Sequence, residues 1–321
     1  MHSVKEFIPA QKINVLQRQH YGLFGHSAVK LCHYTKTALR KKKFCYKRQF
    51  YGIKSHQCIQ FTPASNFCNQ ECVFCWRTLG WTKNSFKKYD EPKEIVEGAI
   101  KAQIQLLSGF GGIQDPKKIN RKLLLESKKP KHIAISLSGE PSLYPELPEL
   151  IEAFREKGFS TFLVSNGSRP SMLKKCNPTQ LYLSLDAPNK ELFNKIDRPK
   201  ERNAWKNLLN SLSTLKKHKS RTVVRITLVK GLNDCCKEEY AKLILKASPD
   251  FVEVKGYSWL GFSRKRLKKE NVPEMKDVLA FTKKLNEFLE YKPSGRNLDA
   301  RVVLLHNTKK GEKLKIDFWG Q

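Results

Sequence analysis

From Asp90 onward the chain alternates two hydrophobic rhythms. Ile95, Val96, Ala99, Ile100, Gln103 and Leu107 recur at near-helical spacing. Asp90-Glu91-Pro92 starts that helix with acid and proline in its first turn, and Ser108-Gly109-Phe110-Gly111-Gly112 stops it. Short apolar runs then read as buried strands at His132–Ser138, Phe159–Ser165, Leu181–Leu185, Val223–Val229 and Phe251–Val254. With the strand that carries the chain into Cys68 they make six. Residues 146–157 and Pro188–Ile196 read as helices, and the basic stretch Lys117–Lys131 as an exposed excursion with one helical turn. Residues 271–290 are amphipathic, with Val272, Met275, Val278, Leu279, Leu285, Phe288 and Leu289 mostly on one side, so a helix packed on the sheet is expected there. Arg301–Leu305 reads as a late strand. Strands alternating with helices imply parallel βαβ units. The expected fold is therefore α/β: a partial parallel (β/α)6 barrel over residues 58–260. A cysteine-containing N-terminal extension (1–57) precedes it. A basic C-terminal helix and strand addition (261–321) packs on it.

In a parallel barrel, chemistry gathers at the C-terminal ends of the strands. Here those ends carry Ser138-Gly139-Glu140-Pro141, Ser165-Asn166-Gly167, Ser184-Leu185-Asp186-Ala187-Pro188 and Lys230-Gly231-Leu232-Asn233-Asp234. Each alone can be a turn. Their repetition at successive strand ends points to a ligand site.

Nine cysteines sharpen that picture, because six of them fall between residues 32 and 75. Cys68, Cys72 and Cys75 form a three-thiol cradle with no fourth cysteine close by. A closed structural metal site wants four ligands, and three leave a metal position open for chemistry. The spacing, with Phe74 before the third cysteine, is that of the radical S-adenosylmethionine (SAM) enzymes. Zinc with a distant fourth ligand and plain buried cysteines are the alternatives. Cys32, Cys45 and Cys58 are evenly spaced, with twelve residues between each pair. They are either a second cluster site with an open iron or isolated structural residues. Cys176, Cys235 and Cys236 show no such pattern and read as ordinary core or surface residues.

Charge adds a partner. Lys plus Arg number 61 against 30 Asp plus Glu, a formal net charge of +31. Such an imbalance in an enzyme-sized chain points to a polyanion. Basic clusters lie at Arg40–Lys43, Lys128–Lys131, Lys216–Arg221 and Arg264–Lys269. Phe44, Tyr46, Tyr257, Trp259 and Phe262 lie beside the first and last, where a base could stack. The first residues lack a signal-peptide stretch, and no segment approaches the ~20 apolar residues of a membrane helix. A cytoplasmic protein without membrane contact is expected, where thiols stay reduced.

The block Tyr46-Lys47-Arg48-Gln49-Phe50-Tyr51-Gly52-Ile53, then Ser55-His56-Gln57-Cys58, Thr62-Pro63 and Cys68–Arg77, resembles the 4-demethylwyosine synthases. These are the radical SAM enzymes of wybutosine-type tRNA modification. The similarity extends through Phe110-Gly111-Gly112, Ser138–Pro141, Ser184–Pro188 and Lys255–Arg264. It implies two 4Fe–4S clusters: a SAM-binding one on Cys68, Cys72 and Cys75, and an auxiliary one on Cys32, Cys45 and Cys58. It also implies SAM held by Gly139 and Glu140, with Ser165, Asn166 and Ser184 at its carboxylate or ribose. The implied reaction joins N1-methylguanosine at position 37 of tRNA-Phe, in the anticodon loop, to pyruvate through a 5′-deoxyadenosyl radical, giving tricyclic 4-demethylwyosine. Lys47 is the implied Schiff-base residue for pyruvate, and the auxiliary cluster's open iron is a second place for its carboxylate. The flavodoxin-like domain of eukaryotic members does not appear, so the resemblance is to the shorter archaeal form, which needs an external electron donor. A monomer is expected. Another radical SAM reaction on RNA, or a zinc-stapled RNA-binding protein, are the rival readings.

Overall fold

The computed structural model of the chain describes residues 1–80 and 82–316. They divide into two compact units. The first comprises Met1–Cys68, Lys83–Val164 and Lys175–Thr179. The second comprises Asn69–Thr82, Ser165–Lys174 and the chain from Gln180 on. The last five residues of the basic C-terminal segment lie outside the described residues.

The first unit opens with helices α1 (Val4–Phe7) and α2 (Ala10–Arg18) and a hairpin of β1 (Tyr21–Phe24) and β2 (Ser27–Lys30). Helices α3 (His33–Leu39) and α4 (Tyr46–Tyr51) lead into β3 (Cys58–Thr62), which pairs antiparallel with β2. After α5 (Pro92–Gly111) and α6 (Arg121–Ser127) come β4 (His132–Ile135), α7 (Leu147–Glu156) and β5 (Ser160–Ser165). Strands β3, β4 and β5 pair in parallel, each one βαβ step from the next. β4 is buried at every position, as a parallel strand covered on both faces should be.

Within the N-terminal extension, the β1–β2 hairpin adds two antiparallel strands to the sheet. Helix α5 ends at Gly111, inside the expected Ser108–Gly112 stop, and its apolar stripe continues through Leu107 to Phe110, which packs with Leu31, Leu39 and Ile119. One expectation needs correction in this unit. The excursion at Lys117–Lys131 contains α6, two turns long, capped by Asn120 Oδ1 accepting Leu123 N–H at 3.1 Å. Leu124 joins the same apolar cluster, so tertiary burial holds a helix that its lysines disguise.

In the second unit, α8 (Pro170–Lys175) is followed by β6 (Gln180–Ser184), α9 (Lys190–Ile196), α10 (Ala204–Leu215), β7 (Arg221–Leu228), α11 (Lys237–Ala247) and β8 (Phe251–Gly256). Strands β6, β7 and β8 pair in parallel. Helix α12 (Met275–Leu289) packs on α11 and β8, as its amphipathic pattern predicts. It starts later than residue 271 because Lys269–Asn271 is a separate 3-10 turn and Pro273 follows it. Strand β9 (Lys292–Asn297) pairs antiparallel with β10 (Val302–His306), and β10 with β8. Both units are mixed α/β with parallel-rich sheets, so the expected fold class holds. Among the described residues no helix is long and apolar enough to cross a membrane.

Candidate active site

Each cysteine of the second set stands at the start of an element. Cys32 precedes α3, Cys45 precedes α4, and Cys58 is the first residue of β3. The even spacing thus reflects two short helices, one in each interval between the cysteines. Burial pushes the Cys58 thiol up to about 12; Lys47 opposes that shift, while the Cys32 and Cys45 thiols add to it. These four groups therefore share one electrostatic neighbourhood. A thiol so raised loses its proton readily only on coordination. Lys47, on the first turn of α4, is buried, with Nζ 4.6 Å from the centroid of the Phe162 ring on β5. Thr35 Oγ1, Ser55 Oγ and His56 Nδ1, close in sequence to Cys32 and Cys58, are buried polar atoms without a hydrogen-bond partner. Such orphaned atoms suit a polar group lodged among these elements.

Beyond the C-terminal end of β3, Cys68 N–H donates to Lys83 O at 3.0 Å. The Phe67 ring beside it stacks on Phe86 at 3.6 Å. The Gly139–Glu140 turn lies directly against this segment. Gly139 has φ +74°, and a methyl group there would sit 1.8 Å from Ala64 O and 2.6 Å from Phe67 O. Only glycine permits that approach. It lets Glu140 N–H donate to Phe67 O at 2.8 Å. The Glu140 carboxylate is buried and accepts Ser142 N–H at 3.0 Å.

The second unit holds the other two cysteines of the triad. Cys75 N–H donates to Cys72 O at 3.0 Å, closing a tight turn. Arg77 Nε–H donates to the Cys75 sulfur at 3.3 Å. Burial pushes the Cys75 thiol up, but the Arg77 guanidinium and its hydrogen bonds, with Arg266, outweigh it and hold the thiol below its usual range. Asn166 spans back to the same loop, its Nδ2 donating to Asn69 Oδ1 at 3.0 Å. Its Oδ1 caps Ser168 N–H at 3.0 Å, while Ser165 Oγ accepts Gly167 N–H at 3.1 Å. Both residues thus shape the turn after β5. Ser184 ends β6, opposite Arg225 of β7.

Two buried carboxylates of this region are not among the candidate site residues. Asp186 is pushed up to about 6 by burial, against the pull of its 2.6 Å bond from Thr227 N–H and of Arg225. Asp197 is raised further by burial and by Asp186, with a hydrogen bond from Cys72 opposing. A carboxylate placed immediately after an apolar strand or helix end is the signal that finds them. Tyr46 and Tyr257, grouped above with aromatic stacking platforms, are buried in the core and offer no face to a base.

The donor chemistry fits thiolate-held iron–sulfur clusters. All six cysteines are free thiols, and Cys75 is already biased towards thiolate. Among the described residues no three His, Cys, Asp or Glu side chains converge closely enough for a single metal ion.

The radical SAM superfamily matches residues 62–244, and the wyosine base formation family matches residues 246–307. The parallel-rich sheets and the three-cysteine loop are those of a radical SAM enzyme, a class that works with a 4Fe–4S cluster and SAM. The tRNA 4-demethylwyosine synthase of Pyrococcus abyssi is 44% identical over 93% of this chain and 89% of its own length. That of Methanocaldococcus jannaschii is 41% identical over 94% and 97%. A solved structure of TYW1 with a lysine–pyruvate adduct bound superposes with a TM-score of 0.88 at 38% identity, covering 97% of this chain and 98% of that one. The chain belongs to the S-adenosyl-L-methionine-dependent tRNA 4-demethylwyosine synthases.

Proposed function

We propose that this enzyme condenses N1-methylguanosine in tRNA with pyruvate to form the tricyclic 4-demethylwyosine base, and that Lys47 holds the pyruvate as a Schiff base. The observation that carries this reading is the setting of Lys47. Its amine is buried against Phe162 and shares a neighbourhood with Cys32, Cys45 and Cys58. The 38% identical TYW1 structure holds a lysine–pyruvate adduct.

In this reading Cys68, Cys72 and Cys75 hold the SAM-binding cluster, and Cys32, Cys45 and Cys58 an auxiliary one. When bound, the reduced cluster and SAM supply a carbon radical able to take hydrogen from a methyl group. The chain's own residues do the rest. Glu140, buried beside the Cys68 segment, presents a carboxylate suited to the SAM ammonium. Ser165, Asn166 and Ser184 border the remainder of SAM. The Lys47 amine adds to the pyruvate carbonyl carbon, water leaves, and the resulting imine is a better acceptor than the ketone. Burial of that amine excludes the bulk water that would reverse the step. The guanosine arrives on tRNA, drawn by a chain of net charge +31.

The test is anaerobic reconstitution with iron and sulfide, then SAM, reductant, labelled pyruvate and N1-methylguanosine-containing tRNA. Nucleoside mass spectrometry should show the tricyclic base carrying two pyruvate carbons. A methylated or methylthiolated nucleoside instead would replace this function with another radical SAM reaction on RNA.

A further inference from the structure

We propose that Arg266, outside the three-cysteine motif, is a positioning residue of the cluster loop and, together with Arg77, sets the reduction potential of the cluster held there. The inference rests on Cys72 and Cys75 being cluster ligands. Four observations carry it. Arg266 Nε–H donates to Val73 O at 3.0 Å and its Nη2 donates to Cys75 O, so one planar guanidinium grips two carbonyls of the loop. Arg77 Nε–H donates to the Cys75 sulfur itself at 3.3 Å. The turn that carries Arg266 is docked on the same loop: Phe262 N–H donates to Trp76 O at 2.9 Å. Gly261, at φ +54°, comes so close to Trp76 O that a methyl group there would sit at 2.4 Å. Finally, Val73 packs with Tyr257 and Leu267, and Phe74 and Trp259 lie against that group.

The turn is stiff in its own right. Trp259 Nε1–H donates to Leu267 O at 2.8 Å, and Tyr257 and Ser263 share a 2.7 Å hydroxyl bond. Its other cations, Arg264, Lys265, Lys268 and Lys269, are exposed, whereas Arg266 turns inward and is half-buried. Charge so placed is screened less than at the surface. A cluster gains negative charge on reduction, so hydrogen bonds to its sulfurs and nearby cations stabilise the reduced form and raise the potential. The fork geometry matters separately, because a lysine ammonium keeps the charge but does not reproduce the planar two-carbonyl grip.

Wild type, R266M, R266K and R77M are reconstituted anaerobically. For each, iron per chain, thermal melting, the midpoint potential by spectroelectrochemical titration and the electron paramagnetic resonance line shape of the reduced cluster are measured without tRNA. R266M and R77M should each shift the potential to more negative values at wild-type iron content and melting temperature. R266K should recover most of the potential but show a broadened, heterogeneous line shape. An unchanged potential in R266M at wild-type iron content overturns the proposal, whatever R77M does. Should R266M fail to fold, R266K decides: a wild-type line shape there overturns the positioning role, and a broadened one supports it. Wild type that takes up no iron refutes the ligand assignment instead, which separates that failure from this one.

Discussion

The Nζ of Lys47 lies 4.6 Å from the centroid of the Phe162 ring, so a helix of the cysteine-rich N-terminal region delivers its amine onto a strand of the parallel sheet. Lys47→Ala should abolish borohydride trapping of labelled pyruvate and lower 4-demethylwyosine formation at least 100-fold, roughly the scale of a lost covalent catalytic step. Lys47→Arg keeps the charge and should behave the same, since a guanidinium does not form the imine. Phe162→Leu removes the ring face, worth about 0.5–2 kcal/mol to a cation, and should weaken trapping roughly 2- to 30-fold. Undiminished trapping in Lys47→Ala would move the Schiff base to another lysine.

Gly139 and Glu140 make a paired expectation. Gly139→Ala forces a side chain onto Ala64 O in a left-handed backbone, which should cost about 1–3 kcal/mol of stability. Thermal melting reads this directly. Glu140→Gln keeps the shape and removes the charge. A hydrogen bond to a charged group contributes about 1.5–3 kcal/mol, so SAM affinity should fall roughly 10- to 150-fold by calorimetry while the melting temperature stays put. Unchanged SAM affinity in Glu140→Gln would remove Glu140 from the SAM site.

The two cysteine sets should differ in their response to pH. In metal-free protein at neutral pH, Cys75, held low by Arg77 and Arg266 against burial, should be alkylated faster than Cys58, which burial raises to about 12. Peptide mass spectrometry after timed iodoacetamide treatment measures the order. Linkage gives a second readout. Cys58 keeps its proton when folded and loses it near its ordinary pKa of 9 when unfolded. The metal-free fold should therefore lose stability as pH rises from about 9 towards 12, and Cys176, also raised by burial to about 12, acts in the same direction. Cys58→Ala should flatten part of that slope.

These behaviours follow from features of very different visibility. Strands β4 to β8 stand out because parallel strands buried on both faces are near-continuous apolar runs, as in His132–Ile135. The triad and the glycine–glutamate turn stand out because their chemistry is local in sequence. β1 and β2 do not: each is four residues long and is held by pairing with its neighbours rather than by its own pattern. β9, Lys292–Asn297, is polar along its length and exists through its register with β10. Arg266 is hidden for a related reason. In sequence it is one cation within a basic run, and only the docking of that turn on residues 73–76 separates it from its neighbours.

That separation has a consequence for tRNA. Arg264, Lys265, Lys268 and Lys269 are exposed around the inward Arg266, and Arg264 lies 4.9 Å from the half-buried Trp259 ring. Phosphate contacts release counterions, so affinity for tRNA should fall steeply and linearly on a log–log plot of affinity against salt. Each of Lys265→Gln, Lys268→Gln and Lys269→Gln that removes a phosphate contact should reduce that slope by about 1 and weaken binding to modified and unmodified tRNA alike. Under the proposed function, Cys68→Ala should leave the slope intact while abolishing SAM cleavage, because the cations assigned to the RNA and the sulfur assigned to the cluster are different groups. Filter binding from 50 to about 200 mM salt resolves such slopes. A flat salt response in the wild type would discard the basic surface as the RNA-binding face.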